Sequence, residues 1–193
     1  MPAVGEDENR YNNHHIKSPL AMIDRTCQAC HRESEETLRK DVYERQNKVY
    51  AIRMRVEEEL TKAHIEAKFA WDKGATESQM KNVLKLLRQA QWRWDFAVAS
   101  HGAAFHAPQE VPRILGSGLD KSTQARIQIR KVLAQLGYTQ DVPMPDISTK
   151  AKAQQYIGLD MEAEQQAKQK FLETVIPQWQ EEARANKRFI EGN

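Results

Sequence analysis

The chain predicts an all-α fold on three observations. Apolar residues recur at intervals of three and four over long stretches. Capping residues and glycines stand at the ends of those stretches, and no segment alternates polar and apolar residues as a half-buried strand would. The expected architecture is a long antiparallel helical hairpin accompanied by shorter helices.

Residues 1–20 are polar and irregular and end in Ser18-Pro19, after which Ala21 to His31 can form a short helix. The longest helix starts at Ser34, a hydroxyl N-cap followed by Glu35 and Glu36, whose charges suit the positive end of the helix dipole. It runs to Asp72 along a narrow stripe of Leu38, Val42, Val49, Ile52, Val56, Leu60, Ala63, Ala67 and Ala70, broken once at Arg45. Gly74 ends this helix in the left-handed conformation that glycine tolerates. Thr76-Glu77-Ser78-Gln79 then reads as the capping box of a second helix, Glu77 to His101, with Met80, Val83, Leu87, Ala90, Trp94 and Val98 on one face.

Gly102 and Pro108 close that hairpin. Further helices are expected at Val111 to Leu115, at Lys121 to Leu136 before Gly137, and at Thr149 to Ile157 before Gly158. A last one spans Met161 to Ala185, with a bend where Ile176 precedes Pro177. Val142-Pro143-Met144-Pro145 is an extended connector. The expected organisation is a single helical region in three parts: 1–33, 34–106 and 107–193.

A length of 193 residues suits one compact body. Lys and Arg number 29 against 27 Asp and Glu, interspersed and summing to only +2, which argues against a nucleic-acid partner. No stretch approaches the roughly 20 apolar residues of a transmembrane helix. Met1-Pro2-Ala3-Val4-Gly5-Glu6-Asp7-Glu8 is acidic where a signal peptide would be basic and then apolar. A disulfide between cysteines only three positions apart would constrain the unfolded chain little, so Cys27 and Cys30 read as ligands or attachment points.

The chemistry concentrates in Cys27-Gln28-Ala29-Cys30-His31. Thiols at i and i+3 with an imidazole at i+4 point to one side of a helical turn. Both sulfurs can then bond the vinyl groups of one haem while His31 ligates its iron, the arrangement of c-type haem attachment. The hairpin and shorter helices would surround that site. Three alternatives stay open. Zinc would need two further ligands, which His101 and His106 could supply. A thioredoxin-like redox pair would want a βαβ context, and the third alternative is two buried thiols beside a chance histidine. Among the remaining histidines, His14, His15, His64, His101 and His106, the last stands out because it follows the helix break and the small residues Gly102-Ala103-Ala104. Trp92 and Trp94 suit a core or a haem pocket equally.

The run Gln91-Trp92-Arg93-Trp94-Asp95-Phe96-Ala97-Val98-Ala99-Ser100-His101-Gly102, continuing to Phe105-His106-Ala107-Pro108, resembles the C-terminal half of the ammonia-forming, pentahaem cytochrome c nitrite reductases. So do Ala63-His64-Ile65-Glu66-Ala67-Lys68, Gly74-Ala75-Thr76-Glu77, Pro145-Asp146-Ile147-Ser148-Thr149-Lys150 and Thr174-Val175-Ile176-Pro177-Gln178-Trp179. The resemblance implies that Cys27, Cys30 and His31 form the last of five haem c sites. It further implies that His14 is the distal ligand to the second haem and His106 that to the fourth. Met1-Pro2 stands where the family has a Met-Pro pair after its fourth attachment motif.

By that resemblance the chain would be a C-terminal portion holding one electron-relay haem, with no catalytic residue of its own and no calcium ligand. The parent would be a periplasmic enzyme reducing nitrite to ammonia with six electrons, the isolated portion inactive. A multihaem cytochrome or quinol-oxidising donor would feed it, and the long helices would form a homodimer. Two other readings stand beside it. One is a free-standing monohaem electron carrier in which His31 and one of His14, His64 or His106 share an iron; the other is a haem-free helical dimerisation module.

Overall fold

Ser34 sets the start of the longest element. Its hydroxyl accepts the Thr37 N–H at 3.2 Å, satisfying a donor that the first turn leaves without a partner, and α1 (Glu35–Asp72) runs from there. In this computed structural model, residues 3–4, 11–12, 17–100 and 102–188 are described. Two compact units divide them, Met1–Val142 and Pro143–Asn193.

The fold is all-α, with one minimal exception: β1 (Ala3–Val4) and β2 (Tyr11–Asn12) pair antiparallel, Ala3 opposite Asn12 and Val4 opposite Tyr11. At the far end of α1, Gly74 adopts φ +89°. Its N–H bonds to the Trp71 carbonyl and the Ala75 N–H to the Ala70 carbonyl, a Schellman termination that turns the chain back. The capping box then forms as expected. Thr76 Oγ1 accepts from the Gln79 N–H at 3.3 Å, the Gln79 side chain accepts from the Thr76 N–H at 2.9 Å, and α2 (Glu77–Ala99) follows.

After the four-residue α3 (Ala103–His106), the two helices expected between Val111 and Leu136 are one continuous helix, α4 (Glu110–Gln135). Pro112 does not interrupt it, because a proline at the third helical position removes an N–H that has no intrahelical acceptor. Gly116-Ser117-Gly118 does not interrupt it either. A side-chain carbon at Gly118 would stand 3.4 Å from both Val56 Cγ1 and Arg93 Cβ, so glycine here lets three helices approach.

α4 packs against both arms of the α1–α2 hairpin. One apolar cluster joins Leu60, Ala63, Ala67 and Ala70 of α1 to Met80, Val83, Leu87 and Ala90 of α2 and to Ala125, Ile129, Val132 and Leu133 of α4. The alanines of α1 keep the helices close, and each large side chain buried contributes about 1.5–3 kcal/mol. A second cluster gathers Val56, Val111 and Leu115, with Trp94 touching both. Ile65 and Glu66, off the expected stripe, are also buried, the latter because Arg126 reaches it from α4.

The second unit holds α5 (Lys150–Tyr156), capped by Thr149, and α6 (Met161–Ala185), capped by Asp160. α6 remains helical across Pro177 and buries none of its residues; Phe171 and Trp179 meet edge to face with ring centroids 5.5 Å apart.

Candidate haem-binding site

The segment before α1 does not form the continuous helix that Ala21 to His31 suggests. A 3-10 helix, Pro19–Met22, comes first, with Pro19 in its opening turn and the Leu20 N–H donating to Ser18 Oγ at 3.3 Å. Consecutive turns follow: Thr26 N–H to Met22 O at 2.9 Å, Gln28 N–H to Ile23 O at 2.9 Å, and Cys30 and His31 N–H to Cys27 O at 3.1 and 2.9 Å. The physical reason for the break is the Gln28 to Ile23 bond, which spans five residues and is wider than a regular helical repeat.

Two side chains tie these turns down. The Thr26 hydroxyl is within 2.7 Å of Met22 O and 2.9 Å of Pro19 O, and it touches Cys27 Sγ at 3.7 Å. From α1, Arg39 Nη2 donates to Leu20 O at 3.1 Å while also pairing with Glu35. That pairing, chiefly the Glu35 hydrogen bond, raises the Arg39 guanidinium further above its ordinary value.

The last turn, closed by His31 N–H to Cys27 O, brings the two thiols and the imidazole together on one short stretch of backbone. Both cysteines are free thiols, Cys27 half-buried and Cys30 exposed, and the His31 side chain is 61% exposed. Its Nδ1 stands 3.7 Å from Glu33 Oε2, and Gln28 Nε2 donates to the Glu33 carbonyl at 3.1 Å, closing a small loop around the histidine. The donor set and its exposure fit a c-type haem. Two free thiols lie one turn apart, the imidazole is largely exposed, and the open side leaves room for a flat macrocycle. Among the described residues, no group of three or more His, Cys, Asp and Glu is arranged to hold a metal ion; His101, one of the two further ligands that zinc would need, lies outside them.

The other histidine candidates are not brought to this turn. His64 is exposed on α1, 30 positions beyond Ser34, about 45 Å at the helical rise, and so out of reach of an iron at His31. His106 ends α3, exposed, its ring 4.3 Å from that of Phe105; Arg45 Nη1 donates to Phe105 O at 3.2 Å, which fixes α3 three turns up α1 from Ser34. Beside it lies an open groove of about 490 Å³ with an apolar floor that includes Ile52, Ala104 and Pro108. His14, with His15 and His101, lies outside the described residues. Trp94 is half-buried between the two clusters, whereas Trp92 is 63% exposed and stacks on Phe96 at 5.8 Å. Spacing alone could not reveal Thr26, Gln28 and Glu33 as parts of the site; the only signal in the sequence is their adjacency to the cysteine motif.

No helix of the described residues is long and apolar enough to cross a membrane. The family model described as cytochrome c552 matches residues 1–187. Curated relatives carry the same name: cytochrome c-552 of Parabacteroides distasonis is 72% identical over 189 residues, 98% of this chain and 38% of that protein. Its counterpart in Bacteroides fragilis is 71% identical over the same shares, and that of Porphyromonas gingivalis 61% over 95% of this chain and 37% of that protein. The chain thus spans about 38% of the length of these relatives. The match corrects the family expectation. Neither the family description nor any of these names states nitrite reduction, so the nitrite reductase assignment, and with it the reading as an inactive end of that enzyme, gives way to a cytochrome.

Proposed function

Because the chain belongs to the cytochrome c552 family, we propose that it carries one haem c and passes electrons singly. Cys27 and Cys30 would hold the haem through thioether bonds, and His31 would ligate its iron. The observation that carries the reading is the turn closed by His31 N–H to Cys27 O, which sets both thiols and the imidazole on one short stretch of exposed chain. The bound group supplies a reversible one-electron couple. The chain's own residues would attach the group at two sulfurs and ligate it through the imidazole, on a turn anchored by Thr26 and Arg39.

His14 and His106 are proposed as axial ligands to irons other than the one at His31; for His106 the support is its place on α3, three turns up α1 from the cysteine turn. A periplasmic location goes with the covalent haem chemistry, and a homodimer with the exposed Tyr43, Tyr50 and Met54 along α1. Expression in a host with c-type haem attachment machinery tests the central reading. A haem adduct on the peptide containing Cys27 and Cys30, lost when both are changed to alanine, is expected together with a reversible redox couple. A chain that leaves such a host with both thiols free would overturn it.

A further inference from the structure

Among the described residues, Glu33 is the carboxylate that faces the proposed iron ligand: its Oε2 lies 3.7 Å from His31 Nδ1, while Glu35 is taken by Arg39. The approach is set by the backbone. Gln28, inside the motif, donates through Nε2 to the Glu33 carbonyl at 3.1 Å, so the chain folds back around His31 and returns Glu33 to the ring it has just passed. An imidazole has two nitrogens, and a partner on one decides the role of the other. A carboxylate beside Nδ1 favours a proton on that nitrogen, which leaves the lone pair on Nε2.

We propose that Glu33 is a positioning residue for His31, fixing the tautomer and ring orientation that present Nε2 and setting a negative charge behind the proximal ligand. This rests on the haem reading above. In water a contact between 61% and 54% exposed side chains contributes little. A haem held at His31 would remove solvent from the imidazole and strengthen the same interaction. A carboxylate at that place makes the imidazole a stronger donor and favours the ferric over the ferrous state.

Two measurements at one fixed neutral pH test this. In the haem-free chain, nitrogen NMR of His31 should show the Nδ1–H tautomer in excess, and Glu33→Gln should return it to the balance of free histidine. In the haem-loaded chain, Glu33→Gln should shift the ferric/ferrous equilibrium toward ferrous by about tenfold, about 59 mV for a one-electron couple. Glu33→Asp should fall between wild type and Gln, and Glu36→Gln, a neighbouring carboxylate that is not paired with His31, should leave the potential in place.

An equilibrium within twofold of wild type in Glu33→Gln overturns the assignment. So does an equal shift in Glu36→Gln, an Asp variant no closer to wild type than Gln, or an unchanged tautomer balance. A wild-type chain that gains no haem adduct overturns the haem reading instead, and takes with it the part of the proposal that concerns the iron.

Discussion

Arg126 of α4 grips Glu66 of α1 as a fork, Nε to Oε2 at 3.1 Å and Nη2 to Oε1 at 2.9 Å, while its Nη1 donates to Glu59 at 2.7 Å. The Glu66 side chain is only 1% exposed, so Arg126 takes the place of the water it has lost. The two carboxylates, Glu66 first, hold the guanidinium charged well above its ordinary range. Arg126→Met leaves Glu66 buried and unpaired, and should cost about 3–5 kcal/mol of unfolding free energy. Arg126→Lys keeps the charge without the fork and should cost less. Urea unfolding followed by circular dichroism measures both, and an Arg126→Met chain as stable as wild type would refute the account.

At Gly118 the volume available predicts opposite results for two substitutions. One added carbon meets Val56 and Arg93 at 3.4 Å, which is contact without overlap, and alanine is worth up to about 1 kcal/mol more than glycine inside a helix. Gly118→Ala should therefore be neutral to mildly stabilising. Gly118→Leu has nowhere to place its further carbons between α1 and α2, and should lose about 1–3 kcal/mol. If both variants melt alike, the space between the helices is not what limits side-chain size at this position.

These two positions also mark the boundary of what the sequence discloses. The Ser34 cap, the Gly74 reversal and the Thr76–Gln79 box rest on hydrogen bonds spanning five residues or fewer, and each was readable from residue order. α4 was not, because Pro112 and Gly116-Ser117-Gly118 look like punctuation until packing against α1 and α2 outweighs their cost. The Arg126 fork joins residues 60 and 67 positions apart, a pairing that no periodicity announces. At the candidate site the same division holds. The spacing of Cys27, Cys30 and His31 named the chemistry, whereas the anchoring by Thr26 and Arg39 required coordinates.

Asp146 gives the second unit an acid-sensitive turn. Its carboxyl is held below the ordinary value, first by the hydrogen bond from Lys152, then by the Ser148 hydroxyl and backbone N–H. The folded value lies below the unfolded one, so the turn gains from the ionised form. That gain is complete above about pH 4 and is lost as the pH falls through the folded value. Amide exchange at Ser148 and across the start of α5 should therefore accelerate, relative to intrinsic rates, only in strong acid. Asp146→Asn should show fast exchange already at neutral pH and no such acid step; a persisting step would assign it to another group.

Thr26 makes a prediction that bears directly on the cysteine turn. Its single hydroxyl proton is shared between Met22 O at 2.7 Å and Pro19 O at 2.9 Å, joining the 3-10 helix to the residue before Cys27. Thr26→Val keeps the shape and the β-branch but removes that proton, at about 1 kcal/mol. Such a loss corresponds to about a fivefold rise in the open population of the turn. The amides of Cys30 and His31, which bond to Cys27 O, should exchange about fivefold faster in Thr26→Val and near wild-type rates in Thr26→Ser. If the loosened turn also presents its thiols less well, haem attachment in Thr26→Val should slow by a similar factor. Exchange that rises equally in the Ser variant would trace the effect to the loss of the methyl group and not to the hydrogen bond.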